Sequence, residues 1–393
     1  MINIKLPTLL ICTVLLLPFA CNRKGEHRYA DDLALVEKRT AIVELKADGG
    51  AARALVTPDL QGRILTTTAA GTDGASNGWF DRAVFTTNDS VTGGVGGEDR
   101  VWITPLGSQH SFYYGQSVPL NEDNWSVPAP IEHEPFTVMN QSARSVWLRK
   151  DMTLTNFSGT ALTMQLDRRL TLHGRAGVEQ QLGVSLPEEV VSVGFTSDHR
   201  LKNTGNSTWT KASGLAGIWN AGTFLGTDGA TVILPLRRGK NLDDLLTYMG
   251  PLGEERLWQN GSAAYFRGDG RYRSKVGIPP RVARDTYAAY VPEADRLTIV
   301  RFSLAGDTLY ANTAVSIQDD PYRGEAIPIY NNGPLDYQPT EEVSFFELES
   351  TSALRELKPG WMIGHSHEVY HLIGEREDLA PLCRQLTGAE LPQ

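Results

Sequence analysis

The sequence has little cysteine, no excess of positive charge and no long helical pattern. It contains 3 cysteines in 393 residues and no Cys-x-x-Cys motif, so a disulfide framework or a cysteine metal site does not define the fold. The formal net charge of −9 argues against a nucleic-acid partner, because phosphate binding requires clustered Lys and Arg side chains. No apolar pattern of helical period extends beyond about three turns, which disfavours a helical bundle.

Glycine, proline and apolar residues are abundant and indicate many short strands. The chain contains 38 glycines and 21 prolines, and 41% of its residues are hydrophobic, which suits strands joined by tight turns around a large core. The predicted strands lie at residues 41–46, 52–57, 63–68, 145–155, 161–172, 190–195, 214–219, 231–236, 287–291, 297–304 and 314–318. No low-complexity linker separates them, so residues 41–393 are predicted to form a single β domain.

The first 20 residues are predicted to direct export. Residues 6–20 form an apolar stretch that is too short for a comfortable membrane span. The junction between Ala20 and Cys21 resembles a bacterial lipoprotein cleavage site. We therefore interpret residues 1–20 as a lipoprotein signal peptide, Cys21 as the lipid-attachment site, and residues 21–40 as a tether followed by a short helix. An ordinary export signal with an incidental cysteine is the alternative.

The densest group of titratable side chains lies between residues 343 and 371, in two predicted strands joined by a Pro-Gly turn. Period-two alternation places Glu347 and Glu349 on one face of the first strand. The same alternation places three histidines on a common side of the second strand, namely His365, His367 and His371. Histidines two residues apart on a strand splay, so supporting or structural roles are favoured over zinc binding.

A glycine-rich segment at residues 93–115 carries charged and aromatic side chains. Its glycines are not a phosphate-binding loop, because neither a Gly-Lys-Ser/Thr sequence nor a helical pattern follows. One interpretation is a hairpin with solvated charges. The favoured alternative is a sugar site, in which a ring stacks on C–H faces and charged groups bind hydroxyls. The candidate residues are Glu98, Asp99, Arg100, Trp102 and His110.

Two further segments carry groups suited to a sugar or an anion. Arg271, Arg273 and Lys275 alternate after an Asp-Gly turn, so we expect them to project from one side of a strand. Protection of an exposed sheet edge and binding of an anion or uronate explain this stripe equally well. Asn332 lies in a Tyr-Asn-Asn-Gly-Pro turn, from which its amide could also reach a sugar.

Several of these segments together resemble the galactose-mutarotase-like superfamily. Leu-Glu-Ser-Thr at 348–351 and Leu-Lys-Pro-Gly at 357–360 resemble the L-E-T-Q and L-x-P-G segments near the mutarotase C-terminus, and Gly-Gly-Glu-Asp-Arg at 96–100 resembles the glycine-pair segment. The chain is more closely similar to a family of uncharacterised exported bacterial proteins of this type. The matching pieces are GGEDRVW, the GIW at 217–219, DGRYRSKVGI, YNNGP and FELES.

This resemblance implies both a fold and a catalytic base. We expect an all-β, galactose-mutarotase-like super-sandwich of mostly antiparallel strands, with short helices only at the termini. In mutarotases the glutamate of L-E-T-Q is the general base on the anomeric hydroxyl, and Glu349 occupies that position here. No segment matches the family's catalytic histidine, so His110, His365 and His367 are candidate acids by chemistry alone.

Three functions remain open from the sequence. The first is an exported sugar mutarotase or epimerase, with Glu349 as base and a histidine as acid. The second is a non-catalytic carbohydrate-binding lipoprotein that uses the same cleft. The third is a glycan-cleaving enzyme using Glu347 with Glu349, which ranks last because paired carboxylates flank the scissile bond from opposing walls.

These functions define the candidate residues and partners. The catalytic candidates are Glu347, Glu349, His110, His365 and His367. The sugar-binding candidates are Glu98, Asp99, Arg100, Trp102, Arg271, Arg273, Lys275, Asn332 and His371. We expect a sugar or glycan ligand, membrane contact through the N-terminal lipid only, and a monomer in the outer membrane or periplasm. We expect no nucleic-acid partner, cofactor or metal.

Overall fold

The computed structural model describes residues 27–87, 93–306 and 308–392. The predicted signal peptide and Cys21 therefore lie outside the described residues. The helices and strands are, in chain order, α1 (Tyr29–Val36), β1 (Val43–Ala47), β2 (Ala52–Thr57), β3 (Arg63–Thr68), β4 (Arg100–Thr104), β5 (Thr137–Gln141), β6 (Ser145–Thr155), β7 (Ala161–His173), α2 (Arg175–Leu182), β8 (Val191–Asn203), β9 (Gly217–Leu225), β10 (Thr231–Pro235), β11 (Leu246–Met249), β12 (Leu257–Asn260), β13 (Ala263–Arg267), β14 (Ser274–Ile278), β15 (Thr286–Val291), β16 (Arg296–Phe302), β17 (Ile327–Asn331), β18 (Phe345–Thr351), β19 (Met362–Ile373) and α3 (Arg376–Thr387).

The described strands form three antiparallel sheets. A ten-stranded sheet has the order β12-β13-β10-β15-β16-β19-β8-β7-β6-β5, and a six-stranded sheet has the order β11-β14-β17-β18-β9-β4. The third sheet contains β1, β2 and β3. The predicted all-β super-sandwich of mostly antiparallel strands is confirmed.

The two larger sheets differ in how their strands are buried. In β6 and β7 buried and accessible side chains alternate, as expected for a sheet with one face on the core and one in solvent. In β9 and β18 nearly every side chain is buried. One face of these central strands packs toward the ten-stranded sheet, where Ser350 of β18 contacts two histidines of β19. The other face is covered by loops, and the cavity described below lies there.

The structure corrects two details of the predicted fold. Short helices do not occur only near the termini, because α2 lies between β7 and β8. Its two turns bury only Val178 and Leu182, too weak a pattern to stand out in the sequence. Residues 314–318 are not a strand. Asn312 Oδ1 accepts a hydrogen bond from the Ala314 amide, a turn interaction that competes with strand pairing.

The chain ends in a helix that packs against the ten-stranded sheet. α3 buries Leu379, Leu382 and Cys383. These side chains belong to an apolar cluster that also contains Tyr265 of β13 and Leu297 of β16. Burial raises the pKa of the Cys383 thiol to about 11, which keeps the thiol protonated and unreactive. Among the described residues, no helix combines the length and apolar composition needed to cross a membrane.

Candidate functional site

A cavity of about 990 Å³ lies over the outer face of the six-stranded sheet. Its floor comes from β4, β9, β14, β17 and β18, and strand register explains which side chains reach it. Lys275, Tyr330, Glu347 and Thr223 are directly paired across four neighbouring strands, so their side chains share one face. All four line the cavity, together with loop residues such as Trp79 and Trp125. The sheet therefore supplies a rigid floor and the loops supply the walls.

A buried ion pair lies on this floor. Arg100 Nη2 donates to Glu347 Oε1 at 2.7 Å, and the Arg100 guanidinium also packs over the Trp102 ring at 4.4 Å. Both members of the pair are more than nine-tenths buried yet line the cavity. A charge-assisted pair in this position presents fixed donors and acceptors to a bound hydroxyl group.

Glu349 lies on the same face but beneath the cavity surface. Its side chain is fully buried. The Trp219 indole N–H donates to Oε2 at 2.6 Å, and Lys275 Nζ lies 3.4 Å and 3.5 Å from the two carboxylate oxygens. Burial raises the pKa of Glu349 to about 8, against the opposing effect of the Lys275 charge. Lys275 itself lines the cavity, so it connects this carboxyl group to the open space.

Further ion pairs surround this floor. Arg273 Nη2 contacts Glu122 Oε1 at 2.8 Å, and Arg63 Nη2 contacts Glu132 Oε2 at 3.2 Å. Burial favours the neutral form of Glu132, but Arg63 and Arg100 outweigh it and lower the pKa of this carboxyl group. Cations and carboxylates thus alternate along the cavity lining. The arrangement suits a ligand rich in hydroxyl groups better than a strongly charged one.

Two groups of aromatic side chains also line the cavity. The first, here the Trp219 cluster, consists of the cavity-lining Trp102, Trp125 and Trp219 with the buried Tyr113 packed among them, and its ring centroids lie 5.2–6.3 Å apart in contacting pairs. The second, the Phe345 cluster, consists of Trp79, Tyr330 and Phe345, with centroids 4.5 Å and 6.3 Å apart. Aromatic faces of this kind stack on the C–H faces of sugars.

The predicted glycine segment contributes through its backbone. Gly96 has φ +75° and Gly97 has φ +113°, conformations that side chains with a Cβ rarely adopt. A Cβ at Gly96 would lie 2.8 Å from the Trp79 ring. Glycine at this position therefore lets the backbone pass directly beneath a cavity-lining tryptophan.

Glu98 and Asp99 do not face the cavity, which corrects their assignment as sugar-binding residues. Both are fully buried. Glu98 accepts from the Thr67 amide at 2.5 Å and lies 2.7 Å from His371 Nε2. Asp99 is paired with Arg168 at 2.6 Å. Strand alternation explains Asp99, because Arg100 and Trp102 point outward and Asp99 therefore points inward. Glu98 precedes β4 and follows Gly97 at φ +113°, so the alternation of the strand does not extend to it.

The three histidines of β19 lie on the far side of the six-stranded sheet from the carboxylates. Ser350 Oγ is 2.8 Å from both His365 Nε2 and His367 Nδ1. Since Ser350 follows Glu349 in β18, its side chain points to the opposite face. Burial lowers the pKa of His365 and His367 to about 3, so both are neutral. These histidines and His371 do not line the cavity, and the expectation that they join the two glutamates in one site is corrected.

Three other predicted residues also lie away from the cavity lining. His110 stacks on Tyr322 at a centroid distance of 5.9 Å, and burial lowers its pKa. Arg271 pairs with Asp228 at 3.0 Å. Asn332 accepts from the Tyr330 hydroxyl at 2.7 Å and donates to Ser344. His110 is thus not placed as an acid toward the cavity, and Asn332 supports the turn that precedes β18.

The three alternating basic residues Arg271, Arg273 and Lys275 do not project together from one side of a strand. β14 begins at Ser274, so Arg271 and Arg273 precede the strand. β14 pairs with β11 on one side and β17 on the other, so it is not an edge strand and protection of an edge does not explain the stripe. Arg273 and Lys275 line the cavity, whereas Arg271 does not.

Sequence reasoning missed most of the aromatic lining. Four of the eight tryptophans in the chain line the cavity, and only Trp102 was a candidate. Trp219 was visible in the Gly-Ile-Trp segment, but Trp79 and Trp125 lie in loops without a periodic pattern. In the described residues no cluster of three or more His, Cys, Asp or Glu side chains could hold a metal ion.

The fold and site together define an all-β super-sandwich protein with a large aromatic cavity and a buried Lys–Glu pair at its floor. The chain belongs to a family described as a family of unknown function, DUF6786, which matches residues 27–393. A comparison with curated proteins found no match.

Comparison with solved structures found similar chains, two of which are described as a candidate aldose 1-epimerase and a galactose mutarotase-like protein. A Synechocystis protein, Slr1438, is 13% identical, with 85% of this chain and 96% of that chain covered and a TM-score of 0.49. A candidate aldose 1-epimerase of Escherichia coli is 11% identical, with 84% and 98% covered and a TM-score of 0.48. A galactose mutarotase-like protein of Lactobacillus casei is 11% identical, with 84% and 100% covered and a TM-score of 0.47. At these values the likenesses carry no information about the reaction.

Proposed function

We propose that this protein binds a carbohydrate in the cavity over the six-stranded sheet. The observation that carries the proposal is the lining itself, which combines aromatic faces with the fixed Arg100–Glu347 pair. Sugars present both C–H faces and hydroxyl edges, so they require this combination of partners. The volume of about 990 Å³ is at the upper end of typical small-molecule sites.

Carbohydrate binding can be tested with one conservative substitution on the cavity floor. Glu347→Gln replaces a carboxylate with a neutral amide. The carboxylate accepts a hydrogen bond from Arg100 and would accept hydrogen bonds from sugar hydroxyls. We expect about 10- to 100-fold weaker binding, because hydrogen bonds to charged groups contribute roughly 1.5–3 kcal/mol. A glycan array identifies the ligand, and titration calorimetry with the best ligand measures the loss.

The control for this substitution is Glu134→Gln. Glu134 pairs with Lys150 at 2.6 Å at a position outside the cavity lining, so we expect unchanged affinity. Thermal unfolding of both variants separates weakened binding from misfolding. If folded Glu347→Gln binds as tightly as wild type, the site lies elsewhere.

A second candidate function is interconversion of sugar anomers or epimers, which the Lys275–Glu349 pair favours. A carboxyl group with pKa about 8 suits a general base near neutral pH. Because Glu349 is buried behind Lys275, this mechanism requires the sugar to displace the Lys275 side chain. Glu349 would then remove the anomeric hydroxyl proton while Lys275 donates a proton to the ring oxygen. The bond between the anomeric carbon and ring oxygen then breaks, and reversal after rotation gives the other anomer. Lys275 therefore replaces the predicted histidine acids.

Glycan cleavage is not favoured by this geometry. Glu347 and Glu349 project from one face of β18, and Glu349 is fully buried. Two carboxylates that cleave a glycosidic bond must flank it from opposite sides. The floor of this cavity does not offer that arrangement.

We also propose that the protein is exported and attached to the cell envelope through a lipid on Cys21. The support is the apolar stretch at residues 6–20 followed by Ala20 and Cys21. Cys21→Ser is expected to move the protein from the membrane fraction to the soluble fraction, as measured by fractionation and immunoblotting. Cys383→Ser, which alters a buried thiol, is the control. A Cys21→Ser protein that remains wholly with the membranes would contradict lipid attachment.

A further inference from the structure

We infer that the cavity takes an oligosaccharide of at least two sugar rings rather than a monosaccharide. This inference rests on the proposed carbohydrate binding and specifies the class of ligand. The observation behind it is that the aromatic side chains form two separate clusters in one cavity. Each cluster provides a stacking surface for one sugar ring.

The strand register gives the separation of the two clusters. Trp219 lies in β9 and pairs with Trp102, which places the Trp219 cluster at that level of the strand. Four residues further along β9, Thr223 pairs with Glu347, which in turn pairs with Tyr330 of the Phe345 cluster. Four residues of strand span about 13 Å, which is more than one pyranose ring covers.

Hydrogen-bonding groups lie between the two clusters. Arg100 pairs with Ala221, halfway between Trp219 and Thr223 in β9. From this position Arg100 reaches across to Glu347, and both side chains line the cavity. A disaccharide with one ring on each cluster would place the linkage and neighbouring hydroxyls over this ion pair.

Each cluster presents a ring that remains accessible. Trp125 packs parallel to Tyr113 on one side, and its side chain is 37% exposed. Trp79 is half-buried against Phe345 and also lines the cavity. The Trp79 amide donates to the Thr223 carbonyl oxygen at 2.9 Å, which fixes this tryptophan at the Thr223 level of the sheet. The two rings are therefore held at different positions along the floor.

A glycan array that carries mono-, di-, tri- and tetrasaccharides of the same sugars tests this inference. The array covers neutral, N-acetylated and acidic sugars, with series built from glucose, galactose, N-acetylglucosamine and glucuronic acid. We expect the disaccharide of the preferred series to bind at least about tenfold tighter than its monosaccharide, since a second stacking contact is added. Calorimetry with soluble members of that series gives the affinities.

Two substitutions assign the preference to the clusters. Trp79→Ala and Trp125→Ala are each expected to bring disaccharide affinity to the level of the monosaccharide. Trp361→Ala, which removes a tryptophan that is 57% exposed and outside the cavity lining, is expected to change nothing. Thermal unfolding verifies that all three variants are folded.

The outcomes separate this inference from the proposed function. Equal affinity for mono- and disaccharides, or a preference that survives both cavity substitutions, overturns the two-ring inference and leaves carbohydrate binding in place. Failure of every glycan to bind overturns both.

Discussion

Replacing Glu349 with glutamine is expected to lower the rate of anomer exchange by about 10²–10⁴-fold, the usual contribution of a general base. Glutamine keeps the shape of the side chain and can still accept the Trp219 N–H hydrogen bond observed at 2.6 Å. Because glutamine keeps this shape and remains a hydrogen-bond acceptor, we expect sugar affinity to change little. NMR exchange spectroscopy of the bound sugar measures the rate, and calorimetry measures the affinity.

The pH dependence of exchange provides a second readout for this residue. The base must be deprotonated, and its pKa is about 8. The rate of exchange by wild type is therefore expected to rise as the pH is raised toward about 8 and to level off above it. Glu349→Gln should lose this rise. A profile that is flat or falls over the same range would contradict the assignment of Glu349 as the base.

Glu325 offers a matched control for the Glu349 substitution. It is also fully buried, and burial raises the pKa of its carboxyl group. Its carboxyl group accepts hydrogen bonds from the hydroxyls of Tyr248 and Thr313 rather than pairing with a lysine. Glu325→Gln is expected to retain exchange. Retention of binding without exchange in both wild type and Glu349→Gln would identify the protein as a carbohydrate-binding module.

Local periodicity correctly predicted which side chains share a face of a single strand. Glu347 and Glu349 share a face of β18, as alternation requires, and Glu347 reaches the cavity beside Arg100. The pKa of Glu349 is raised because the carboxyl group is buried. The shared face of Glu347 and Glu349 depends only on residues two positions apart in the sequence, so alternation alone predicts it. The contact with Arg100 and the burial of Glu349 depend on the tertiary fold.

Features that depend on which sheet a strand joins were not predictable in the same way. β18 and β19 follow each other in the chain but belong to different sheets. His365 and His367 therefore meet Ser350 rather than Glu349. Period-two alternation identifies the face of a strand but not what packs against that face. The loop tryptophans Trp79 and Trp125 escaped prediction because turns and loops have no periodicity.

Arg168→Met is expected to lower the free energy of unfolding by about 3–5 kcal/mol, the cost of leaving a buried charge without its partner. Arg168 extends from β7 of the ten-stranded sheet and pairs with Asp99 at 2.6 Å, with both side chains fully buried. Asn220 of the six-stranded sheet donates to the same carboxylate at 2.9 Å. The pair thus joins the two sheets beneath the glycine segment. Urea unfolding at neutral pH measures the loss.

A matched ion pair in the same sheet shows whether burial causes this loss. Arg149 of β6 pairs with Asp167 of β7 at 2.8 Å, but their side chains are 30% and 23% exposed. Arg149→Met is therefore expected to cost less than about 1 kcal/mol. Adding Asp99→Asn to Arg168→Met removes the unpaired charge and should recover part of the stability. Equal losses from Arg149→Met and Arg168→Met would show that the Asp99–Arg168 pair does not hold the two sheets together.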